Sequence, residues 1–211
     1  YYFKYYKLTL TKGYTMRKTS LVLGLILLAI IYLTVTNYNN IPKLDENVKE
    51  KWSQVQNQYK RRADLIPNLV ETVKAYANHE KSTLVEVTEA RSKVSQITLN
   101  ENTLNNPELL QQFENAQSNL TSALSKLMVV VEKYPELKAN ENFLSLQSQL
   151  EGTENRITVA RRDFIEAVKL YNLELRTMPG KLVAAIAHPE AKIKETFSAS
   201  PTEQDAPKVK F

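Results

Sequence analysis

The hydrophobic pattern begins with an uncharged apolar run, SLVLGLILLAIIYLTV at residues 20–35. Extended to Thr19–Tyr38 the run has 20 residues, close to the length that a helix needs to cross about 30 Å of hydrocarbon. A cleaved signal peptide and a buried core helix are the alternatives, but no Ala-x-Ala type of site follows the run and no polar face interrupts it. The sequence therefore predicts a retained transmembrane helix over 19–38.

After Pro42 the apolar residues recur every three or four positions, and this spacing predicts α-helices. The predicted helices cover about 42–97, 107–134, 139–178 and, as a short last element, 181–187. We expect a kink near Pro67, because proline lacks a backbone N–H and its ring clashes with the preceding turn. Asn106 or Asn105 can cap the next helix, with Pro107 at its first position. The tail 188–211 is polar and contains proline, which predicts mostly irregular structure.

No segment alternates as a strand does, so the predicted fold class is all-α: an N-terminal transmembrane helix, then an elongated antiparallel three- to four-helix bundle over 39–187 with coiled-coil-like packing. The first of these helices would extend about 80 Å and the second only about 40 Å, so the second cannot cover the first. We therefore expect Trp52, Val55 and Tyr59 to be poorly buried and to promote self-association, unless the C-terminal segment folds over them.

The charge distribution changes the meaning of the net charge of +5. The first 38 residues hold five basic residues and no acidic one, so the remainder of the chain is neutral. A neutral surface does not suit nucleic-acid binding. The basic flank 1–18 favours a cytoplasmic N-terminus and an extracytoplasmic bundle. Residues 1–15 precede Met16, which has the form of a natural start, so they are treated as an extension and left out of the fold prediction.

The chain offers little that catalyses reactions. It has no cysteine, which excludes disulfides and thiolate chemistry, and its histidines are His79 and His188. Neither histidine belongs to a zinc-protease or di-iron helix pattern, and no phosphate-binding or nucleophile-elbow motif occurs. We therefore predict a non-enzymatic protein without a cofactor or metal.

One set of polar residues warrants attention, because antiparallel pairing of the first and third predicted helices would bring its two halves together. The functional interpretation is a groove for a ligand or partner near Pro67. The alternative is a set of interhelical ion pairs that fixes the register, and we favour it. The candidate interaction or register residues, including two aromatic ones, are Trp52, Gln56, Tyr59, Arg61, Arg62, Asp64, Pro67, Asn68, Glu154, Asn155 and Arg156.

Three segments carry a family resemblance: WSQVQNQYKRRADLIPNLV at 52–70, YPELKA at 134–139 and LEGTENRI at 150–157. With the ending APKVKF at 206–211, they make the chain resemble the bacterial LemA family from about Met16 onward. One departure is Phe164-Ile165, where the family pattern has Tyr-Asn, and it affects a local polar contact at most.

The resemblance implies a single-pass inner or cytoplasmic membrane protein with an antiparallel helical bundle, and no enzymatic activity or cofactor comes with it. A magnetosome member of the family is tied to membrane invagination. We therefore expect a membrane-anchored scaffold or interaction protein of the bacterial envelope, which contacts the lipid bilayer, forms homo-oligomers or binds an envelope protein, and organises membrane. The alternative is an extracytoplasmic ligand-binding or sensor module that works through a partner protein.

Overall fold

A computed structural model describes the backbone of residues 2–97 and 101–197; the side chains of 2–20, 30, 33, 37, 101 and 102 lie outside that description. All regular structure in these residues is helical, which confirms the all-α prediction. The elements are α1 (Tyr2–Tyr76), α2 (Lys81–Gln96), a 3₁₀ helix (Glu101–Asn105), α3 (Pro107–Val131), α4 (Pro135–Lys138), α5 (Glu141–Arg176) and α6 (Gly180–Ala187). The described residues form two compact units, 2–43 with 173–191 and 44–172 with 192–197.

Helix α1 runs without a break through both of its prolines. Each proline lacks the N–H that would bond to the carbonyl four residues earlier, on Tyr38 for Pro42 and on Ala63 for Pro67. Side chains from elsewhere contact both carbonyls. His188 Nε2 lies 3.1 Å from the Tyr38 oxygen, and Arg91 Nε donates to the Ala63 oxygen at 2.8 Å.

The prediction that a new helix begins at Pro42 was therefore wrong. Near Pro67, where a kink was predicted, α1 continues without interruption. Each proline leaves one carbonyl without its backbone hydrogen bond, and a side chain distant in sequence contacts that carbonyl. Rules based on residue spacing do not include such contacts. Helix continuity is thus maintained by tertiary contacts at both positions.

The helix predicted over 42–97 is in fact two helices, because α1 ends at Tyr76 and a turn over 77–80 precedes α2. The Ala77 N–H still bonds to Val73, and the Glu80 N–H bonds back to the Ala77 carbonyl. Neither glycine nor proline marks this turn. The apolar stripe gave only a weak sign of it, since the next stripe position after Tyr76, Leu84, comes eight positions later.

Residue pairs in the larger unit show the helix directions. Arg62 contacts Glu154 while Gln58, earlier in α1, contacts Arg156, later in α5, so α1 and α5 are antiparallel. The common core of α1, α2, α3, α4 and α5 consists of buried apolar side chains: Ile66, Leu69, Val73, Ala77, Leu84, Val87, Ala90, Val94, Leu120, Ala123, Leu127, Val131, Leu137, Phe143 and Leu150. Burial of this surface stabilises the unit through the hydrophobic effect.

Asparagines cap two of these helices. Asn106 Oδ1 accepts from the Leu109 N–H at 3.1 Å with Pro107 in the first turn, which confirms the predicted start of α3. Asn140 Oδ1 accepts from the Phe143 N–H at 3.0 Å at the start of α5. Such caps satisfy N–H groups that have no partner inside the helix.

The expectation of an underburied stretch at Trp52, Val55 and Tyr59 was wrong, because these side chains are only 2%, 1% and 5% exposed. The predicted alternative is what the structure shows: the segment after α6 covers this region. Phe197 packs against Trp52, with ring centroids 5.9 Å apart, and against Phe164 at 5.5 Å. Aromatic pairs at these distances add to the stability that their burial provides.

Polar contacts hold the covering segment in place. Lys194 Nζ lies 2.8 Å from Asp45 Oδ1, and the Lys194 backbone exchanges two hydrogen bonds with the Asn172 amide. The Glu195 N–H donates to the carbonyl of Leu104. Residues 188–197 are irregular apart from a turn, as predicted, and 198–211, with the APKVKF ending, lie outside the described residues.

In the smaller unit, α1 carries the apolar run, and the described side chains of the run are exposed. Among the described residues, α1 from Leu21 onward is the one helix long and apolar enough to cross a membrane, and none of its apolar window is buried. Tyr38, at the end of the run, stacks on His188 with ring centroids 4.7 Å apart. Gly180 and Ala184 of α6 are buried within this unit.

Candidate functional site

Arg62 is the centre of the polar cluster in the larger unit, and it is only 2% exposed. It lies on the core-facing side of α1, four residues before Ile66, so helical periodicity carries its guanidinium into the bundle. The Tyr59 ring packs one turn earlier, 5.2 Å from the guanidinium carbon. A buried guanidinium needs partners, because the transfer of an unpaired charge out of water is strongly unfavourable.

The partners of Arg62 come from α3 and α5. Nη1 donates to Glu154 Oε1 at 2.6 Å and to Thr121 Oγ1 at 3.2 Å, while Nη2 donates to Gln117 Oε1. Thr121 Oγ1 also donates to the Gln117 carbonyl one turn back. One guanidinium thus joins three helices, and such charge-assisted bonds are stronger than neutral ones.

Arg156 forms a second link between α1 and α5. Its Nε donates to Gln58 Oε1 at 3.2 Å, and its Nη2 donates to Thr153 Oγ1 at 2.9 Å. The Arg156 side chain is exposed, so each of these bonds contributes less than the buried contacts of Arg62 do. Together the two arginines fix how α5 is aligned along α1.

The predicted residues lie in the interhelical polar cluster, in the core, at a half-buried position or on the exposed surface. Arg62, Glu154 and Arg156 take part in the interhelical bonds, and Trp52 and Tyr59 lie in the core. Gln56 is half-buried. The remaining candidates are exposed: Arg61, Asp64, Pro67, Asn68 and Asn155. Pro67 acts through its backbone, because it leaves the Ala63 carbonyl to Arg91.

Sequence reasoning missed the α3 contribution. Gln117 is buried four residues after Phe113 and three before Leu120, so it is a polar residue on the core face of α3. That position was the available signal, because a polar residue on a core face needs a partner across the bundle. Thr121 follows one turn later and faces the same arginine.

Burial and the nearby guanidinium groups change the pKa of Tyr59 in opposite directions. Burial raises the pKa of Tyr59, while the nearby guanidinium groups of Arg161 and Arg62 lower it in part, and the net change is upward. The Tyr59 ring meets Phe113 edge to face with centroids 4.9 Å apart. Arg161 reaches Glu114 at 3.2 Å and lies over the Phe197 ring at 4.3 Å. These features are typical of a packed interior.

An open groove lies beside the polar cluster, between α3 and α5. Its volume is about 290 Å³, near the lower end for small-molecule sites. Its lining is mostly apolar and includes two carboxylates. The lining residues are Thr121, Leu124, Ser125, Met128, Gln147, Leu150, Glu151 and Glu154. Among the residues whose side chains the structure describes, no group of three or more histidine, aspartate or glutamate side chains is placed to hold a metal ion.

Comparison with known proteins gives a consistent picture. The model of the LemA family matches residues 51–211. The magnetosome proteins MamQ 1 and MamQ 2 of Paramagnetospirillum magneticum are each 32% identical over 71 residues, or 34% of this chain, and the match spans about a quarter (26%) of their length. Protein LemA of Metamycoplasma hominis is 25% identical over 158 residues, which cover 74% of this chain and 68% of that protein.

Proposed function

The chain belongs to the LemA family, and we propose that it is a membrane-anchored, non-enzymatic interaction protein of the bacterial envelope. In this proposal α1 crosses the bilayer over 19–38, and the larger unit presents its surface to protein partners. The similarity to magnetosome proteins supports an association with membranes. A part in organising membrane belongs to the same proposal.

The exposure of the apolar stretch of α1 is the observation that carries the proposal. Leu21, Leu25 and Leu28 are each more than 60% exposed, whereas Val48 and Trp52 of the same helix are buried. A helical segment of this length and composition has a higher free energy in water than in lipid. Buried Arg62, in contrast, bonds to Glu154 and Gln117 on other helices, as in a structural element.

Membrane extraction tests the anchor. The full chain, produced in a bacterial host, is expected to stay in the membrane pellet at alkaline pH with its N-terminal segment intact by mass spectrometry. The control carries Leu25→Arg and Leu28→Arg, each of which costs about 2.5–3.5 kcal/mol at the centre of a span. It is expected to move to the soluble fraction. Extraction of the unmodified chain would refute the anchor, and loss of residues up to Tyr38 would indicate a cleaved signal peptide.

We further propose that the larger unit faces away from the cytoplasm, as the basic flank 1–18 favours. Because the chain has no cysteine, Ser125→Cys provides a single thiol in the larger unit. A membrane-impermeant maleimide should label it in intact spheroplasts. Labelling only after lysis would place the unit in the cytoplasm.

Self-association and binding of an envelope protein stay proposals about the exposed surface. They no longer rest on Trp52 and Tyr59, which are buried. Tethering raises the local concentration of copies in the bilayer, so weak lateral contacts suffice. Crosslinking in intact cells with an impermeant lysine reagent, followed by mass spectrometry, should recover links between copies or to a partner. A chain that is monomeric in mild detergent and recovers no links would contradict both.

A second candidate function is ligand binding in the groove between α3 and α5. The observation that favours it is a mostly apolar lining that includes Glu151 and Glu154, which suits a small amphipathic cation. Such amines should raise the melting temperature of the full chain, and Glu151→Gln should reduce that rise. No rise with any amine of a size that fits the groove would exclude this function.

A further inference from the structure

Helix α6 is apolar on both of its faces. One face packs inward through Gly180 and Ala184, which are buried. On the other face, Met178 just before the helix, Leu182 and Ile186 follow at intervals of four residues and are 72%, 55% and 76% exposed. A water-exposed helix normally has a polar outer face, so this stripe requires an apolar neighbour.

Contacts inside the smaller unit place the end of α6 beside the end of the apolar run. His188 directly follows α6, and its Nε2 lies 3.1 Å from the Tyr38 carbonyl oxygen. The two rings also stack. Tyr38 closes the apolar run, and tyrosine favours the boundary between hydrocarbon and headgroups. The end of α6 therefore lies at the depth where α1 leaves the hydrocarbon.

The charges near α6 fit a lipid surface. Helix α6 contains no acidic residue, and Lys181 on its flank and Arg176 just before it are exposed. Long basic side chains at such positions reach phosphate headgroups while their stems cover apolar surface. With eight residues, or about 12 Å, α6 is too short to cross a bilayer but long enough to lie in its surface.

We propose that α6 lies in the headgroup–acyl boundary of the bilayer that holds α1, with Met178, Leu182 and Ile186 in contact with the acyl chains. This inference rests on the proposed membrane anchor. It assigns the chain a second, shallow membrane contact, which ties the smaller unit to the surface at two points instead of one. A helix in this position also displaces lipid in one leaflet only.

Single thiols in the full chain test this placement. Leu182→Cys and Ile186→Cys, labelled with a polarity-sensitive nitrobenzoxadiazole dye, are reconstituted in phosphatidylcholine–phosphatidylglycerol vesicles that carry a doxyl quencher either shallow or deep in the acyl chain. Leu27→Cys reports the anchor. Val129→Cys, an exposed apolar position on α3, is the matched control for non-specific adsorption.

We expect the dyes at 182 and 186 to be quenched most by the shallow doxyl, the dye at 27 most by the deep one, and the dye at 129 by neither. Quenching at 27 without quenching at 182 and 186 would overturn the placement of α6 and leave the anchor intact. Absence of quenching at 27 would overturn the anchor. Blue-shifted but unquenched dyes at 182 and 186 would show that protein, such as a second copy, covers the stripe.

Discussion

The hydrogen bond from Arg91 to the Ala63 carbonyl takes the place of a backbone bond that Pro67 cannot form, and this substitution can be tested. Pro67 cannot donate to this carbonyl, and Arg91 Nε donates to it at 2.8 Å instead. In Arg91→Met the carbonyl loses its donor, while the apolar stem of the side chain is largely kept. If Pro67→Ala is added, the restored N–H can bond to the same carbonyl. The cost of Arg91→Met should therefore depend on which residue is at position 67.

The expected magnitude follows from the environment of the bond. A hydrogen bond from a charged group contributes about 1.5–3 kcal/mol. Arg91 is half-buried, so water can partly replace the donor, and we expect about 1–2 kcal/mol for Arg91→Met. For a chain of this size that loss lowers the melting temperature by roughly 2–8 °C. With alanine at 67 the cost should fall below about 0.5 kcal/mol, as expected for groups that no longer interact.

Urea unfolding of the full chain in mild detergent measures all four members of this cycle. Trp52 is the only tryptophan of the chain and lies 5.2 Å from Phe164 in the same unit as Arg91, so its fluorescence reports unfolding there. Arg61→Met, at an exposed position, is the matched control and should change stability by less than about 0.5 kcal/mol. An equal cost of Arg91→Met with proline and with alanine at 67 would refute the reasoning.

Three further substitutions test other contacts. Glu154→Gln removes the carboxylate partner of buried Arg62. Because Glu154 is half-exposed, we expect the free energy of unfolding to fall by about 1–2 kcal/mol, less than for a fully buried pair. An unchanged urea midpoint would contradict this expectation. Gly180→Ala brings a methyl group against a backbone carbonyl of α5, so we expect stability to fall by about 1–3 kcal/mol. Thermal unfolding followed by circular dichroism measures this change, and unchanged stability would disprove the close approach. Burial raises the pKa of Asp45. Its interactions with lysines, Lys194 above all, together lower this pKa by more than burial raises it, so the net shift is downward. The ionised form therefore stabilises the fold above the unfolded-state pKa, this stability is lost as the pH falls through the lowered pKa, and Asp45→Asn should be less stable than the unmodified chain at neutral pH only. Equal urea midpoints at pH 7 would rule out that contribution.

The sequence was sufficient for the parts of the fold that depend on local pattern. Steps of three and four residues located α3, α5 and α6 to within a few residues, because the apolar stripe of each helix is continuous. The break after Tyr76 was missed, because polar residues form that turn without glycine or proline. The burial of Trp52 was also missed, since it depends on Phe197, which arrives from more than a hundred residues later in an irregular segment.

The candidate site was predictable only in part, for a related reason. Helical spacing and antiparallel pairing were enough to bring Arg62 near Glu154. Spacing could place Gln117 on the core face of α3 but could not pair it with Arg62, since the rotational position of α3 about its axis depends on packing against two neighbours at once. Phe164, noted as a departure from the family pattern, instead lies fully buried against Trp52 and Phe197.

The two prolines of α1 suggest how a long helix can specify where other segments attach. In an uninterrupted helix every interior carbonyl already accepts a backbone N–H, so it is a weaker acceptor for a neighbouring segment than a carbonyl without that bond. Pro42 and Pro67 each release one carbonyl, and in each unit a nitrogen from a distant segment, on His188 or Arg91, lies at that oxygen. An internal proline costs about 3 kcal/mol in a helix. A donor that bonds at the released carbonyl offsets part of that cost and favours one alignment over those shifted by a turn. In a shifted alignment the donor would meet a carbonyl that already has a backbone partner, and the released carbonyl would have none.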